Sequence, residues 1–297
     1  MANKGKWKIS LADVPNSVPV HQYIFEKTDF LVQTKKFKNC FPQNYLKTNI
    51  QFDIFQLSKD ISHGIDLYGS YPFNYFNKKR DDSYLSTSLN YNSQSIDKVS
   101  NNPHQGTLGS TIGSHKSTDG YINNQLGKNT YNDTLSFVEK TPLAKYESID
   151  AFLNGLKRTM IRSRISILMG ENKSTQDISY GWHNDELIFL NLRVNIPIQS
   201  TDNYFIQILN NPHLEQADIS EFNLEVGNAY AYDTYKYHRA CSKKIEVKPR
   251  INLILGVSPW FDYNHDTKEW ISNEFYGELH PFEMLEQKHV SHFIGNK

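Results

Sequence analysis

Apolar positions along the chain recur with two periods, and the switches between them divide it. Residues 1 to about 70 mix short strand-like runs, HQYIF (21–25) and NIQFDIF (49–55), with polar connectors. From about Tyr71 to Asn132 apolar residues become sparse while Asn, Ser, Gly, Asp and Lys dominate, the composition of long loops. Such a tract is either a disordered insertion or a set of loops laid over an active site. The helical period enters in TPLAKYESIDAFLNGLKRTMIRSRISILMG (141–170). Ser148 is placed to cap a helix in which Ile149, Phe152, Leu153, Leu156 and Met160 recur at helical spacing, after which RISILMG alternates like a strand. Four further strand candidates follow: ELIFLNLRVNIPI (186–198), NYFIQIL (203–209), NLEVGNAYAYD (223–233) and PRINLILGVSPWF (249–261). The tail, 263–297, reads as helical around HPFEMLEQKHVSHF.

Short strands separated by polar turns, without βαβ alternation, predict a mainly β protein with flanking helices and an antiparallel sandwich or jelly-roll core. The expected organisation is an N-terminal extension (1–140) whose polar loops pack on or over the core, a β core (141–262) and a C-terminal tail (263–297). A chain of 297 residues is long enough for one large decorated domain. The 18 Tyr and 17 Phe, many in strand-like runs, strengthen the β reading.

Charge narrows the partners. Lys plus Arg (32) balances Asp plus Glu (32), so no net field favours nucleic acid or an anionic membrane. The two cysteines, Cys40 and Cys241, lie far apart, which excludes a disulfide framework or a cysteine-rich zinc module and suits a reducing compartment. The N-terminal MANKGKWKISLADVP is polar where a signal peptide carries an apolar run, and no stretch reaches transmembrane length, so a cytoplasmic protein is expected.

The candidate chemistry sits in GWHNDELIFLNLRVNIPI (181–198). His183 and Asp185 stand two apart at what reads as the start of a strand, so the pleat would direct both to one face. His238, in YAYDTYKYHRA, is the best third ligand. Two imidazoles and one carboxylate on one face of an octahedral Fe(II) leave positions open for a bidentate oxoacid and dioxygen. Twelve residues later Arg250 heads the last apolar strand, and a guanidinium there could grip the distal carboxylate of 2-oxoglutarate through paired hydrogen bonds. Each residue alone has an ordinary alternative: His-x-Asp as solvated surface, His238 as a hydrogen-bonded barrel histidine, Arg250 as a strand cap or a partner of Asp233. The ordered set is more specific than any member.

Residues 180–262 resemble the double-stranded β-helix core of Fe(II)/2-oxoglutarate dioxygenases, and in detail the aspartyl/asparaginyl β-hydroxylase-like branch that includes proline cis-hydroxylases. The stretches that carry the resemblance are WHND, LNLRVNIPI, LEVGNAYAYDTYKYHRA and RINLILGVSPW. The resemblance implies Fe(II) held by His183, Asp185 and His238, 2-oxoglutarate held by Arg250 with Arg193, and Asn195 where β-hydroxylases carry a second polar cosubstrate contact. The β-hydroxylases proper lack the carboxylate ligand and the prolyl members have it, so Asp185 moves this chain toward the latter. The implied activity uses Fe(II), 2-oxoglutarate and O2 to hydroxylate an unactivated C–H bond of an amino acid, free or in a peptide, releasing succinate and CO2. Asp185 fills the position that a halogenase leaves for chloride. The resemblance covers under a third of the chain and does not extend to the first 140 residues.

Other residues read less sharply. Arg162 and Arg164 would share a strand face and could receive a substrate carboxylate, or form a surface ion pair. Trp182 reads as core, Tyr230, Tyr232 and Tyr237 as barrel packing, and His104 and His115 as lid residues or solvated loop positions. His289 and His292 have no third ligand nearby in sequence. The competing classes are a phytanoyl-CoA-dioxygenase-like oxygenase on another small molecule, a cupin-type metal isomerase, and a non-catalytic binding protein on the same barrel; a fold alone does not choose among them.

Overall fold

In the computed structural model the described residues are 6–15, 18–38, 40–41, 44–72, 84–92, 102–105, 134–169, 178–179, 182–211, 218–242 and 248–295. The strands are β1 (Lys8–Ser10), β2 (Tyr45–Lys47), β3 (Tyr71–Pro72), β4 (Tyr84–Ser88), β5 (Asn90–Tyr91), β6 (Glu139–Lys140), β7 (Arg164–Leu168), β8 (Ile178–Ser179), β9 (Leu192–Gln199), β10 (Tyr204–Asn211), β11 (Asp218–Asn223), β12 (Tyr230–Tyr232), β13 (His238–Ser242), β14 (Arg250–Val257), β15 (Phe261–Asn264) and β16 (Glu269–Ser272). The helices are α1 (Val20–Lys27), α2 (Phe30–Lys35), α3 (Ile54–Tyr68), α4 (Glu147–Asn154) and α5 (Val290–Phe293).

From β7 to β14 the chain passes back and forth between two antiparallel sheets. β7, β9, β12 and β14 lie in a seven-stranded sheet ordered β2-β12-β9-β14-β7-β4-β3, while β8, β10, β11 and β13 form a four-stranded sheet ordered β11-β10-β13-β8. This interleaving is a double-stranded β-helix, the jelly-roll core expected from the sequence. β2, β3 and β4, from the first 90 residues, are hydrogen-bonded into the larger sheet. β1, β15 and β16 make a separate three-stranded sheet. No described helix is long and apolar enough to cross a membrane.

Period-two alternation gives the larger sheet two chemically different faces. One is aliphatic: Ile165 and Ile167 of β7, Leu192, Val194, Ile196 and Ile198 of β9, and Leu253, Leu255 and Val257 of β14 pack in one cluster with Leu57 and Ile61 of α3 and Ile149 and Leu153 of α4. Each such residue, fully buried, contributes about 1.5–3 kcal/mol of transfer free energy. The other face, toward the smaller sheet, carries buried Arg164, Ser166, Arg193, Asn195, Arg250 and Asn252. Aromatic and aliphatic side chains, including Tyr84, Tyr230 and Tyr232 with Tyr204, Ile206 and Phe222, wall the same interior.

Several predicted elements differ. HQYIF lies in α1, where Val20 and Ile24, four apart, are the buried pair. The end of NIQFDIF starts α3: the Asp53 carboxylate accepts hydrogen bonds from Phe55 N and Gln56 N at 3.0 and 3.1 Å, an N-cap that local chemistry imposes on an otherwise strand-like run. Ser148 does not cap α4, which begins at Glu147 and ends at Asn154. Instead Ser148 N donates to the buried Asp60 carboxylate of α3 at 2.9 Å, and Leu156 and Met160 leave the helix to form single bridges with Ile294 and Val257. The predicted strand at 223–233 is a turn from Leu224 to Ala229 followed by β12. In the tail, helix is confined to the 3-10 turn Glu283–Leu285 and α5, and β16 precedes them. The polar tract around His115 lies outside the described residues.

Candidate metal centre

His183 and Asp185 reach one site by a route other than the expected one. Residues 187–190 form turns and β9 begins only at Leu192, so the pair precedes the strand instead of opening it. Backbone bonds to the segment that leads into β13 position them. His183 and His238 form an isolated antiparallel bridge, with His183 N donating to His238 O at 3.1 Å and His238 N to His183 O at 2.8 Å. Asp185 N donates to Thr234 O at 2.8 Å. His238 opens β13, and the two imidazole centroids are 4.4 Å apart.

One ligand atom from each of His183, Asp185 and His238 lies within 4.8 Å of the other two. Asp185 Oδ2 is 3.5 Å from His238 Nε2, and two donors each about 2.1 Å from one ion can be at most about 4.2 Å apart. His238 Nδ1 lies 2.9 Å from Lys236 O. Because a carbonyl only accepts, Nδ1 carries the proton and the Nε2 lone pair faces Asp185, the tautomer a metal requires. Burial would raise the Asp185 carboxyl, but the Arg193 guanidinium outweighs it, with help from the two histidines, and holds Asp185 well below the usual carboxylate range. The donor set is thus a pre-ionised carboxylate and two imidazoles, and it fits Fe(II).

Arg250 heads β14 and is 3% exposed. Its Nε and Nη1 are buried without a hydrogen-bond partner. Burial draws the guanidinium below its ordinary range, while the surrounding Tyr84, Tyr232, Tyr204 and Cys241 oppose that shift; an arginine in such a place stays charged. A buried charge with two orphaned donors calls for an anion. Asp233 is not its partner: that carboxylate accepts from Tyr235 N. Asn195 Oδ1 accepts from Asn252 Nδ2 at 2.8 Å, leaving Asn195 Nδ2 and Asn252 Oδ1 buried and unsatisfied.

Arg193 contacts two carboxylates. Its Nη1 contacts Asp185 Oδ2, and its Nη2 donates to Glu186 Oε2 at 3.0 Å. Arg162 and Arg164 are both buried, not a surface pair. Arg164 is on the inner face of β7. Arg162 precedes β7 in a left-handed conformation (φ 44°), and its Nη1 contacts Glu186 Oε1. The sequence pattern gives no sign of Glu186, which reads as part of a strand, or of Thr134, whose hydroxyl donates to Glu186 Oε1.

Trp182 is half-buried, with the Arg239 guanidinium 4.6 Å over its ring, and so is not core. Tyr230 and Tyr232 are buried, whereas Tyr237 is 46% exposed. Tyr232 stacks edge-on to His238 at 5.1 Å. Burial, aided by Asp185, pushes its phenol up to about 12, so it stays protonated. His104 is neither lid nor solvated: it is buried and stacked on Tyr68 of α3 at 4.6 Å. His289 and His292 sit 6.3 Å apart away from the metal-ligand set.

No family model matches the chain, and no curated protein matches it in sequence. Solved structures with a similar arrangement include the non-heme alpha-ketoglutarate-dependent epimerase SnoN from nogalamycin biosynthesis, at 8% identity over 76% of this chain and 81% of that one, TM-score 0.39. The carbocyclase SnoK of the same biosynthesis is 10% identical over 82% of this chain and 88% of that one, TM-score 0.38. An oxidoreductase of the 2OG-Fe(II) oxygenase family from Burkholderia pseudomallei is 11% identical over 78% and 91%, TM-score 0.38.

Proposed function

We propose that the protein is an Fe(II)/2-oxoglutarate-dependent oxygenase that hydroxylates an unactivated C–H bond of an amino acid, free or within a peptide. The observation that carries this reading is the convergence of His183, Asp185 and His238 on one point of a double-stranded β-helix whose interior also holds Arg250 with two orphaned donors. His183, Asp185 and His238 would hold the iron. With 2-oxoglutarate and O2, that iron supplies the oxidising power for hydroxylation, with succinate and CO2 as co-products.

The chain's own residues do the rest. Arg250 binds the distal carboxylate of 2-oxoglutarate, and Asn195 and Asn252 offer a donor and an acceptor on the same sheet face. The tyrosines around Arg250 exclude water and strengthen its grip on an anion. Arg164 stands at the other end of this face: Arg250 pairs with Leu168 and Ile254 with Arg164, so the two arginines are separated by four residues, roughly 13 Å along the strands. With Arg250 on the cosubstrate, that spacing places Arg164 to orient a substrate carboxylate. Arg193, held by Asp185 and Glu186, is not assigned to the cosubstrate.

The test is an anaerobic titration of metal-free protein with Fe(II) and then 2-oxoglutarate, read by the visible charge-transfer band of the chelated complex. Its appearance in wild type and loss in His238→Ala supports the reading. Its absence from folded, iron-loaded protein overturns it; where the band appears, succinate release in the presence of amino acids and peptides decides the substrate.

A further inference from the structure

We propose that Glu186 is a positioning residue of the metal centre, acting through Arg193 on Asp185, and that Arg162 braces Glu186. The inference rests on the metal-centre reading above. Arg193 enters the site from β9 with each end of its guanidinium fork on a different carboxylate: Nη1 on Asp185 Oδ2, and Nη2 on Glu186 Oε2 at 3.0 Å. The Asp185 oxygen it grips is the one that lies 3.5 Å from His238 Nε2. Arg193 therefore fixes a carboxylate whose terminal torsion is otherwise soft. A carboxylate oxygen has lone pairs enough to accept this bond and still donate to an ion.

A guanidinium beside a cation site also repels the cation. Glu186 offsets that charge and so lets Arg193 hold Asp185 without emptying the site. Glu186 is itself held by several donors: Arg193, Arg162 Nη1, the Thr134 hydroxyl, and Asn191 Nδ2 at 3.4 Å. Arg162 also donates to Thr134 Oγ1 at 3.2 Å. It does so from a left-handed backbone that a non-glycine residue rarely adopts, with its side chain buried. A residue kept in that conformation, on a chain of contacts that ends at a metal ligand, is the pattern of a supporting shell rather than of an ordinary surface pair.

Co(II) binding tests this, by isothermal titration and by the ligand-field absorption of the bound ion, in wild type, Glu186→Gln, Glu186→Asp and Arg162→Lys. Metal-free thermal unfolding run alongside separates folding from positioning. Glu186→Gln is expected to bind Co(II) about 10–100-fold more weakly. Glu186→Asp keeps the charge but shortens the reach, and Arg162→Lys keeps the charge but loses the fork; both should bind more weakly than wild type and shift the Co(II) absorption while metal-free stability stays near wild type. Wild-type affinity and spectrum in Glu186→Gln, or in the two charge-conserving variants, would overturn the proposal. If wild type itself binds no Co(II), the metal-centre reading falls first and takes this inference with it.

Discussion

His183 and His238 exchange both of their backbone hydrogen bonds, at 3.1 and 2.8 Å. The main chain, not side-chain packing, therefore sets the two imidazoles side by side. Truncating either ring should leave that bridge standing. His183→Ala and His238→Ala are each expected to weaken metal binding by more than the ~100-fold that loss of a supporting contact costs, with an unchanged far-ultraviolet circular dichroism spectrum. A variant that keeps near-wild-type Co(II) affinity would remove that histidine from the ligand set.

Arg250→Ala should separate cosubstrate from metal. Charge-assisted hydrogen bonds are worth about 1.5–3 kcal/mol each, so 2-oxoglutarate binding is expected to weaken by at least tenfold while Co(II) affinity without 2-oxoglutarate is unchanged. Calorimetry in both conditions checks this. Unaltered 2-oxoglutarate affinity would remove Arg250 from the cosubstrate site.

Gly256 faces Arg193 across the β14–β9 ladder and has no room for a side chain. A Cβ there would stand 2.2 Å from Ile161 O and 2.7 Å from Asn191 Oδ1. The segment carrying Arg162 passes that close because Ile161 N donates to Gly256 O at 2.8 Å and Ser163 Oγ accepts from Gly256 N at 2.9 Å. Gly256→Ala is predicted to cost about 1–3 kcal/mol and to weaken metal binding by displacing Arg162. A wild-type denaturation midpoint would contradict the first part.

Stability should fall on mild acidification. Burial lowers His280 from 6.5 to about 4; its ring stacks on Phe41 at 4.5 Å and its Nδ1 accepts from Phe282 N at 3.1 Å. Burial lowers His104 likewise. For a base whose folded pKa is depressed, the unfolded chain takes up the proton first, so the folded state loses stability as pH drops from about 6.5 toward 4. Urea midpoints across that range should decline in wild type and decline less in His280→Gln, once each is compared with its own value at pH 7.5. An equal decline in both would assign the effect to other groups.

The β core was legible because alternation along LRVNIPI and RINLILGV is a local property. So was the convergence of His183, Asp185 and His238, because their order along the chain is more specific than any one of them. What the sequence hid was set by contacts distant in the chain. The Asp53 cap that makes α3 of a strand-like run is local, but the Asp60 carboxylate fixes the start of α4 from another helix. Glu186 reads as the first residue of a strand; only the fold reveals that Arg162, 24 positions earlier, and Arg193 converge on it. His104, in a polar tract, gave no sign that Tyr68 would cover it.

The two faces of β9 divide labour among neighbouring residues. Leu192, Val194, Ile196 and Ile198 belong to the aliphatic cluster, while Arg193 and Asn195 between them face the polar interior. Exchanging the odd-numbered set alters what the interior recognises, and leaving the even-numbered set untouched keeps the scaffold that folds. A strand built this way lets an active site drift toward new ligands without renegotiating the stability of the molecule that carries it.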